Sequence, residues 1–138
     1  MIDLTTKLGR QVKRRLTKDV TVWFTTVGSD LTPQPRPVWF TWDGESLLLF
    51  SQPGAHKVRH VKTHPRVAIN LISDELGHGV AVITGTAAID PSVPPAHKET
   101  AYFKKYRKRI AALGMSPEEF SREYSVAIRV IPSGLRGE

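Results

Sequence analysis

"SQPGAHKVRHVKTHPRVAIN", residues 51–70, decides how the whole chain is read. Its first residues end an apolar strand, "SLLLFS" (46–51), and its last begin another, "RVAINLIS" (66–73). Between them "PGAHKVRHVKTH" (53–64) reads as a short helix. Val58 and Val61 face inward, and Pro65 stops the helix because the residue before a proline is pushed out of the α region. Lys57, Arg59, Lys62 and Arg66 interleave with His56, His60 and His64, so this strand–helix–strand connector is also densely positive.

Working upstream, "DG" at 43–44 joins "QPRPVWFTW" (34–42) to the strand at 46–51 as a hairpin. Pro35 and Pro37 cannot donate to a ladder, so that end is an edge, a bulge or a place where something else approaches. "VTVWFTTV" (20–27) alternates Val20, Val22 and Phe24 with Thr21, Trp23 and Thr25 and is another strand. Residues 3–17 are expected to be helical, with Leu4, Leu8, Val12 and Leu16 on one stripe and Asp3 as N-cap. Downstream, "VAVITGTAAI" (80–89) is a long strand in which Gly85 marks a bend or a close backbone approach. Residues 95–113 form a helix with Tyr102, Tyr106, Ile110 and Leu113 on one stripe, and Gly114 is its C′ residue. Ser116, Pro117 and Glu119 spell a capping box. "SVAIRVIP" (125–132) is the last strand, before a short basic tail. The fold class is therefore mainly β with flanking helices. Six strands at hairpin-like spacing make an antiparallel barrel in one domain, residues 1–138.

Composition narrows the chemistry. The chain has no cysteine, which removes disulfides, thiolate nucleophiles and Cys-based zinc sites. Lys plus Arg number 20 against 13 Asp plus Glu, a net charge of +7 that either favours an anionic partner or serves solubility. No apolar run is long enough to cross a bilayer, and "MIDLTTKLGRQVKRRL" has no signal-peptide h-region, so no membrane and a cytoplasmic location are expected. A metal at His56, His60 and His64 is not expected, because Lys57, Arg59 and Lys62 surround them and no carboxylate lies among them. There is no G-x-S-x-G and no glycine-rich phosphate loop. Nucleic acid is not expected either, since the basic residues are spread over several helices and most aromatics lie on core stripes.

What remains is the start of the short helix. The strand ends at Phe50 and Ser51, the helix begins near Gly54, and its free N–H groups point back toward the strand end with partial positive charge. Lys57 lies in that first turn, with Ser51 and Gln52 just upstream. This is either a phosphate site without a glycine-rich loop or a capped surface helix with snorkelling lysines.

The string "TPQPRPVWFTWDGESLLLFSQPGAHKVRHVKTHPRVAINL", followed by "VAVITGTA", resembles the split β-barrel flavin and deazaflavin reductases, relatives of pyridoxamine 5′-phosphate oxidase. It is most similar to the actinobacterial class of coenzyme F420-dependent oxidoreductases. The resemblance implies a homodimer with cofactor sites at the subunit interface. By position it makes Lys57 the phosphate-binding lysine, with Ser51, Gln52, Ala55 and His56 in the loop around it. Gln34, Arg36, Pro37 and Val38 match the strand lining the ring, and Gly79, Val80 and Ala81 of the second subunit match the strand that closes the site. Arg59 and Lys62 are expected to contact an acidic cofactor tail.

Two departures refine this. FMN-using relatives carry a second arginine beside the lysine, a role left here to Arg59 or Lys62, which favours coenzyme F420 over FMN. The pyridoxal-phosphate-binding tail of the oxidase is not evident in "IRVIPSGLRGE", which argues against pyridoxamine oxidation. The implied activity is hydride transfer between a reduced deazaflavin and a small electron-poor substrate, with no catalytic residue singled out. The alternatives are an FMN-dependent oxidase and a protein that binds a flavin or tetrapyrrole without turnover.

Overall fold

A computed structural model describes the whole chain, Met1–Glu138. The elements are α1 (Lys7–Lys18), β1 (Thr21–Val27), β2 (Pro33–Trp39), β3 (Thr41–Trp42), β4 (Leu47–Ser51), α2 (His56–Thr63), β5 (Arg66–Asn70), β6 (Ala81–Ile89), a 3-10 turn (Ala96–Lys98), α3 (Thr100–Ala112), α4 (Pro117–Glu123) and β7 (Val126–Gly137). The strands form one sheet in the order β2-β1-β5-β6-β7-β4-β3, and every neighbouring pair is antiparallel.

There are seven strands rather than six because the stretch 34–42 breaks at Phe40. Its two halves, β2 and β3, lie at opposite edges of the sheet. The chain through Phe40 therefore joins the two edges, and the curled sheet becomes a split barrel. Tyr106 occupies the break. Its hydroxyl accepts from the Phe40 N–H at 2.8 Å and lies 2.8 Å from the Phe40 carbonyl and 2.6 Å from that of Val20. The Lys105 ammonium donates to the same Phe40 carbonyl at 2.9 Å. Backbone groups that a continuous ladder would have paired are thus served from α3.

The core has two parts. Inside the barrel, Val22, Phe24, Phe40, Leu47, Leu49, Ile69, Ile83 and Ile128 pack with Val12 and Leu16 of α1 and with Val58 and Val61 of α2. Outside it, Leu48, Phe50 and Ala127 are covered by Tyr102, Tyr106, Ile110 and Phe120. This explains why "LLLFS" is apolar without alternation: β4 is buried on both faces. Each such side chain contributes on the order of 1.5–3 kcal/mol of burial.

Several local expectations shift. α1 is capped by Thr6, whose hydroxyl accepts from the Gly9 N–H, and not by Asp3. A Cβ at Gly9 would stand 2.3 Å from the Asp3 carbonyl, so the chain doubles back there before the helix starts. Leu113 is the C-cap of α3 and is 55% exposed, off the buried stripe. The supposed tail is strand: β7 runs on through Pro132 to Gly137, pairing Ala81 with Gly137. Pro132 sits opposite Gly85 at a register shift, where a proline's missing N–H is tolerated. The Ser116–Glu119 capping box and the left-handed Gly114 (φ +76°) are as expected.

Candidate functional site

α2 starts two residues later than the sequence suggests, with Ala55 as N-cap, and Ala55 offers no side-chain cap. The first-turn N–H groups are thus left without a side-chain acceptor, and Lys57 stands among them. The helix packs on β1 and β6, and on its β1 side Phe24 pairs in register with Arg36 of β2 and Thr26 with Gln34.

Two clefts meet at Lys57. One, of about 140 Å³, is cationic and polar. It is lined by Gln34 and Arg36 of β2, Ala55, His56, Lys57 and His60, with Phe24 and Thr26 at its base. The other, of about 280 Å³, is aromatic, with Pro37, Val38, Trp39, Phe50, Tyr102, Phe120, Tyr124 and Leu113 around Ser51, Gln52 and Lys57. Its wall includes near-parallel rings, Trp39 on Phe120 at 5.9 Å and Phe120 on Tyr124 at 4.6 Å, and Trp39 is backed by the buried Tyr106 at 4.8 Å. A planar ligand placed there extends a stack that the protein has already begun.

Lys57 is half-buried and makes no hydrogen bond or ion pair. Burial, and then the Arg36 guanidinium, hold its pKa below the usual lysine value. Two cations facing one small cleft, one of them partly desolvated and unpaired, are costly unless an anion arrives.

The structure brings nine of the fourteen expected residues to these clefts: Gln34, Arg36, Ala55 and His56 in the cationic one, Pro37, Val38, Ser51 and Gln52 in the aromatic one, and Lys57 in both. Arg59 lines neither but lies against His56, with Nη2 2.6 Å from Nδ1. Two of the cleft residues are spent locally. The Ser51 hydroxyl donates to the Gln52 carbonyl at 3.0 Å, and the Gln52 amide donates to Glu123 at 2.8 Å. Lys62 is exposed and lines neither cleft. Gly79, Val80 and Ala81 also line neither. The Gly79 carbonyl accepts from Arg15 at 2.6 Å, that of Val80 from the Glu138 N–H at 3.0 Å, and Ala81 is in the barrel core.

Sequence reasoning passed over Thr26, and it weighed His60 only as a metal ligand, not as part of the cofactor site. Thr26 is buried, and its hydroxyl is 2.8 Å from His60 Nδ1. The signal was present: Thr26 is a polar residue at an inward position of a strand, and such a residue needs a partner. No group of three or more His, Asp or Glu is arranged to hold a metal ion.

Residues 8–136 match the family model described as pyridoxamine 5′-phosphate oxidase. No curated protein matches the chain. Among solved structures, a Listeria innocua protein named for pyridoxamine 5′-phosphate oxidase is 22% identical, with a TM-score of 0.71 over 92% of this chain and 94% of that one. A structure described as an F420 reductase is 25% identical, with a TM-score of 0.71 over 91% and 96%. HutZ, the haem storage protein from Vibrio cholerae, is 16% identical, with a TM-score of 0.66 over 96% and 95%. With its split barrel and a family match over almost its whole length, the chain belongs to the pyridoxamine 5′-phosphate oxidase family.

Proposed function

We propose that this chain is an oxidoreductase that binds a flavin-type cofactor, coenzyme F420 in preference to FMN, for hydride transfer to a small electron-poor organic molecule. The observation that carries this reading is Lys57: a half-buried ammonium with no partner, at the seam between an aromatic cleft and a cationic one. That seam suits a ligand that is planar at one end and phosphorylated next to it. Lys57, Arg36 and His56 would hold the phosphate, and Pro37, Val38, Ser51 and Gln52 would line the ring. When bound, the reduced deazaflavin supplies the hydride. The chain's own part is to fix the ring against the β2 edge, to exclude water with the Trp39–Phe120–Tyr124 wall, and to neutralise the phosphate.

The preference for coenzyme F420 rests on what lies past the phosphate cleft. A further cleft of about 230 Å³ has no hydrophobic residue in its lining, which is Gly28, Ser29, Arg59, His60, Thr63 and His64. FMN ends at its phosphate, whereas the acidic tail of coenzyme F420 would continue toward these cations, with Lys62 beside them. The likeness to an F420 reductase supports the same choice.

We also propose a homodimer. On the outer face of the sheet Trp23, Thr25, Ala68, Asn70, Val82 and Thr84 are neighbours in register, and none of them is ionisable. Trp23 is 37% exposed there. This uncharged patch, bordered by Arg66 on β5 and by Arg136 opposite Val82, bears an exposed tryptophan and suits a second copy, which would bring its Gly79–Ala81 segment to the site.

The test is titration of the purified protein with coenzyme F420, FMN and haemin in separate experiments. Tighter binding of coenzyme F420, weakened at least tenfold in Lys57→Ala, is expected, together with consumption of the reduced cofactor when an acceptor such as a quinone is added. Binding of haemin alone, or unchanged affinity in Lys57→Ala, would overturn the reading.

A further inference from the structure

His60 is the one side chain that both clefts of the cationic end share, and its ring is held in place from two sides. Nδ1 is 2.8 Å from the buried Thr26 hydroxyl. On the other side, a Cβ at Gly28 would stand 2.9 Å from Nε2, so the ring could not keep this position against the β1 end with a larger residue there.

This contact has two settings. A neutral imidazole with its proton on Nε2 accepts from the Thr26 hydroxyl, which spends the only proton of that hydroxyl. A doubly protonated imidazole must donate from Nδ1. The Thr26 oxygen then accepts, and its proton is free to turn into the cationic cleft that Thr26 lines.

We propose that the Thr26–His60 pair makes this cleft a proton-coupled anion site: an oxyanion of the phosphate or sulfate type binds together with one proton, taken up by His60. His60 acts as a positioning residue through Thr26, and as an added positive charge. The proposal rests on reading the cleft as the phosphate end of the cofactor site.

The charges around His60 point the same way. Its own helix contributes His56, Lys57, Arg59 and Lys62, with His64 at the C-cap, and β2 adds Arg36. Asp30, in the β1–β2 turn, is the one acid whose charge reaches it. β1 and β6, the strands on which α2 packs, carry no ionisable side chain. Without an anion, burial first, then His56 and Arg59, hold the His60 pKa below its ordinary value, against the pull of Asp30. An anion in the cleft offsets these positive charges, so the bound state takes the proton more readily than the free one. Affinity for the anion therefore rises as pH falls through the window between the free and bound pKa values of His60.

Inorganic sulfate is the probe, because its charge stays constant across that window. Its dissociation constant is to be measured by calorimetry from pH 5.5 to 7.5, and the His60 ring titrated by NMR with and without saturating sulfate. The expected result is sulfate affinity about tenfold stronger at pH 5.5 than at 7.5, and a His60 pKa raised by about one unit on saturation. His60→Gln, which still reaches Thr26 but does not titrate, should bind sulfate with a flattened pH profile. Thr26→Val should leave His60 titrating but weaken sulfate binding most at low pH. An unshifted His60 pKa, a His60→Gln profile as steep as that of the parent, or no sulfate binding at pH 5.5 would each overturn the proposal. Failure of coenzyme F420 to bind while sulfate still raises the His60 pKa would sink the cofactor reading and leave the anion site standing.

Discussion

Lys105 holds an ammonium under the sheet break, 2.9 Å from the Phe40 carbonyl and 4.0 Å from the centre of the Phe40 ring. Those contacts offset part of its desolvation. Even so, burial moves its pKa down to about 8, with Asp19 opposing the shift and Arg109 adding to it. The unfolded chain, with an ordinary lysine, binds more protons than the native one between about pH 8 and 10.5, so this group's contribution to stability rises with pH across that window. Below pH 8 the cost of the buried charge is fully present. Lys105→Met removes this dependence. The melting temperature of the parent relative to Lys105→Met should therefore climb from pH 7.5 to 10, and parallel curves would contradict the assignment. Beside it, Tyr106→Phe keeps the stack on Trp39 but strips the Phe40 amide of its acceptor. Denaturant unfolding should show a loss of about 1–3 kcal/mol, the cost of leaving a buried N–H unpaired. Tyr106 was legible as a core residue from its helical spacing. Its second task was not, because nothing local to residues 95–113 shows that a strand breaks far upstream at Phe40.

Among the elements, α4 is the one whose start the sequence spells out in full. Ser116 accepts from the Glu119 N–H at 3.1 Å and Glu119 reaches back to the Ser116 N–H. Ser116→Ala should cost about 1 kcal/mol. Because α4 carries Phe120 and Tyr124 into the aromatic cleft, the same variant should also weaken binding of a planar ligand, measured by fluorescence titration. Unchanged stability would mean that the cap is redundant. The strands were read by alternation and by turn residues, and the Asp43–Gly44 hairpin shows both: the Asp43 carboxylate accepts from Glu45 and Ser46, and Gly44 has φ +97°. β7 was cut short in the reading for a physical reason. Pro132 and Gly134 are poor strand residues taken alone, and only pairing with the bulged Thr84–Gly85 stretch of β6 makes them fit. Lys57 could be picked out of the basic run because helix position distinguishes it. That it serves two clefts depends on the gap between β2 and β4, a tertiary fact with no local signature.

Over the whole molecule, the patch around Trp23 and the Gly79–Ala81 segment, which lines neither cleft, belong to one expectation. If a second copy docks on that face, Trp23→Glu should give a monomer by light scattering while the circular dichroism of the fold is kept. The monomer should also bind the cofactor less tightly than the parent, since its site would lack the partner's contribution. A dimer that survives Trp23→Glu would place the interface elsewhere. The sheet itself carries a further consequence. Its two edges are joined by one covalent passage through Phe40, not by a ladder of hydrogen bonds. Cutting the chain at that point would sever no inter-strand pair: each ladder from β2 round to β3 would remain. Side-chain packing alone would then hold the seam, through the Tyr106 and Lys105 contacts, the Trp39 stack and the burial of Val38 and Phe40, so a nicked chain would behave as a clasp that can be undone. Its sheet would persist while the mouth between β2 and β4, where Lys57 stands, swung open.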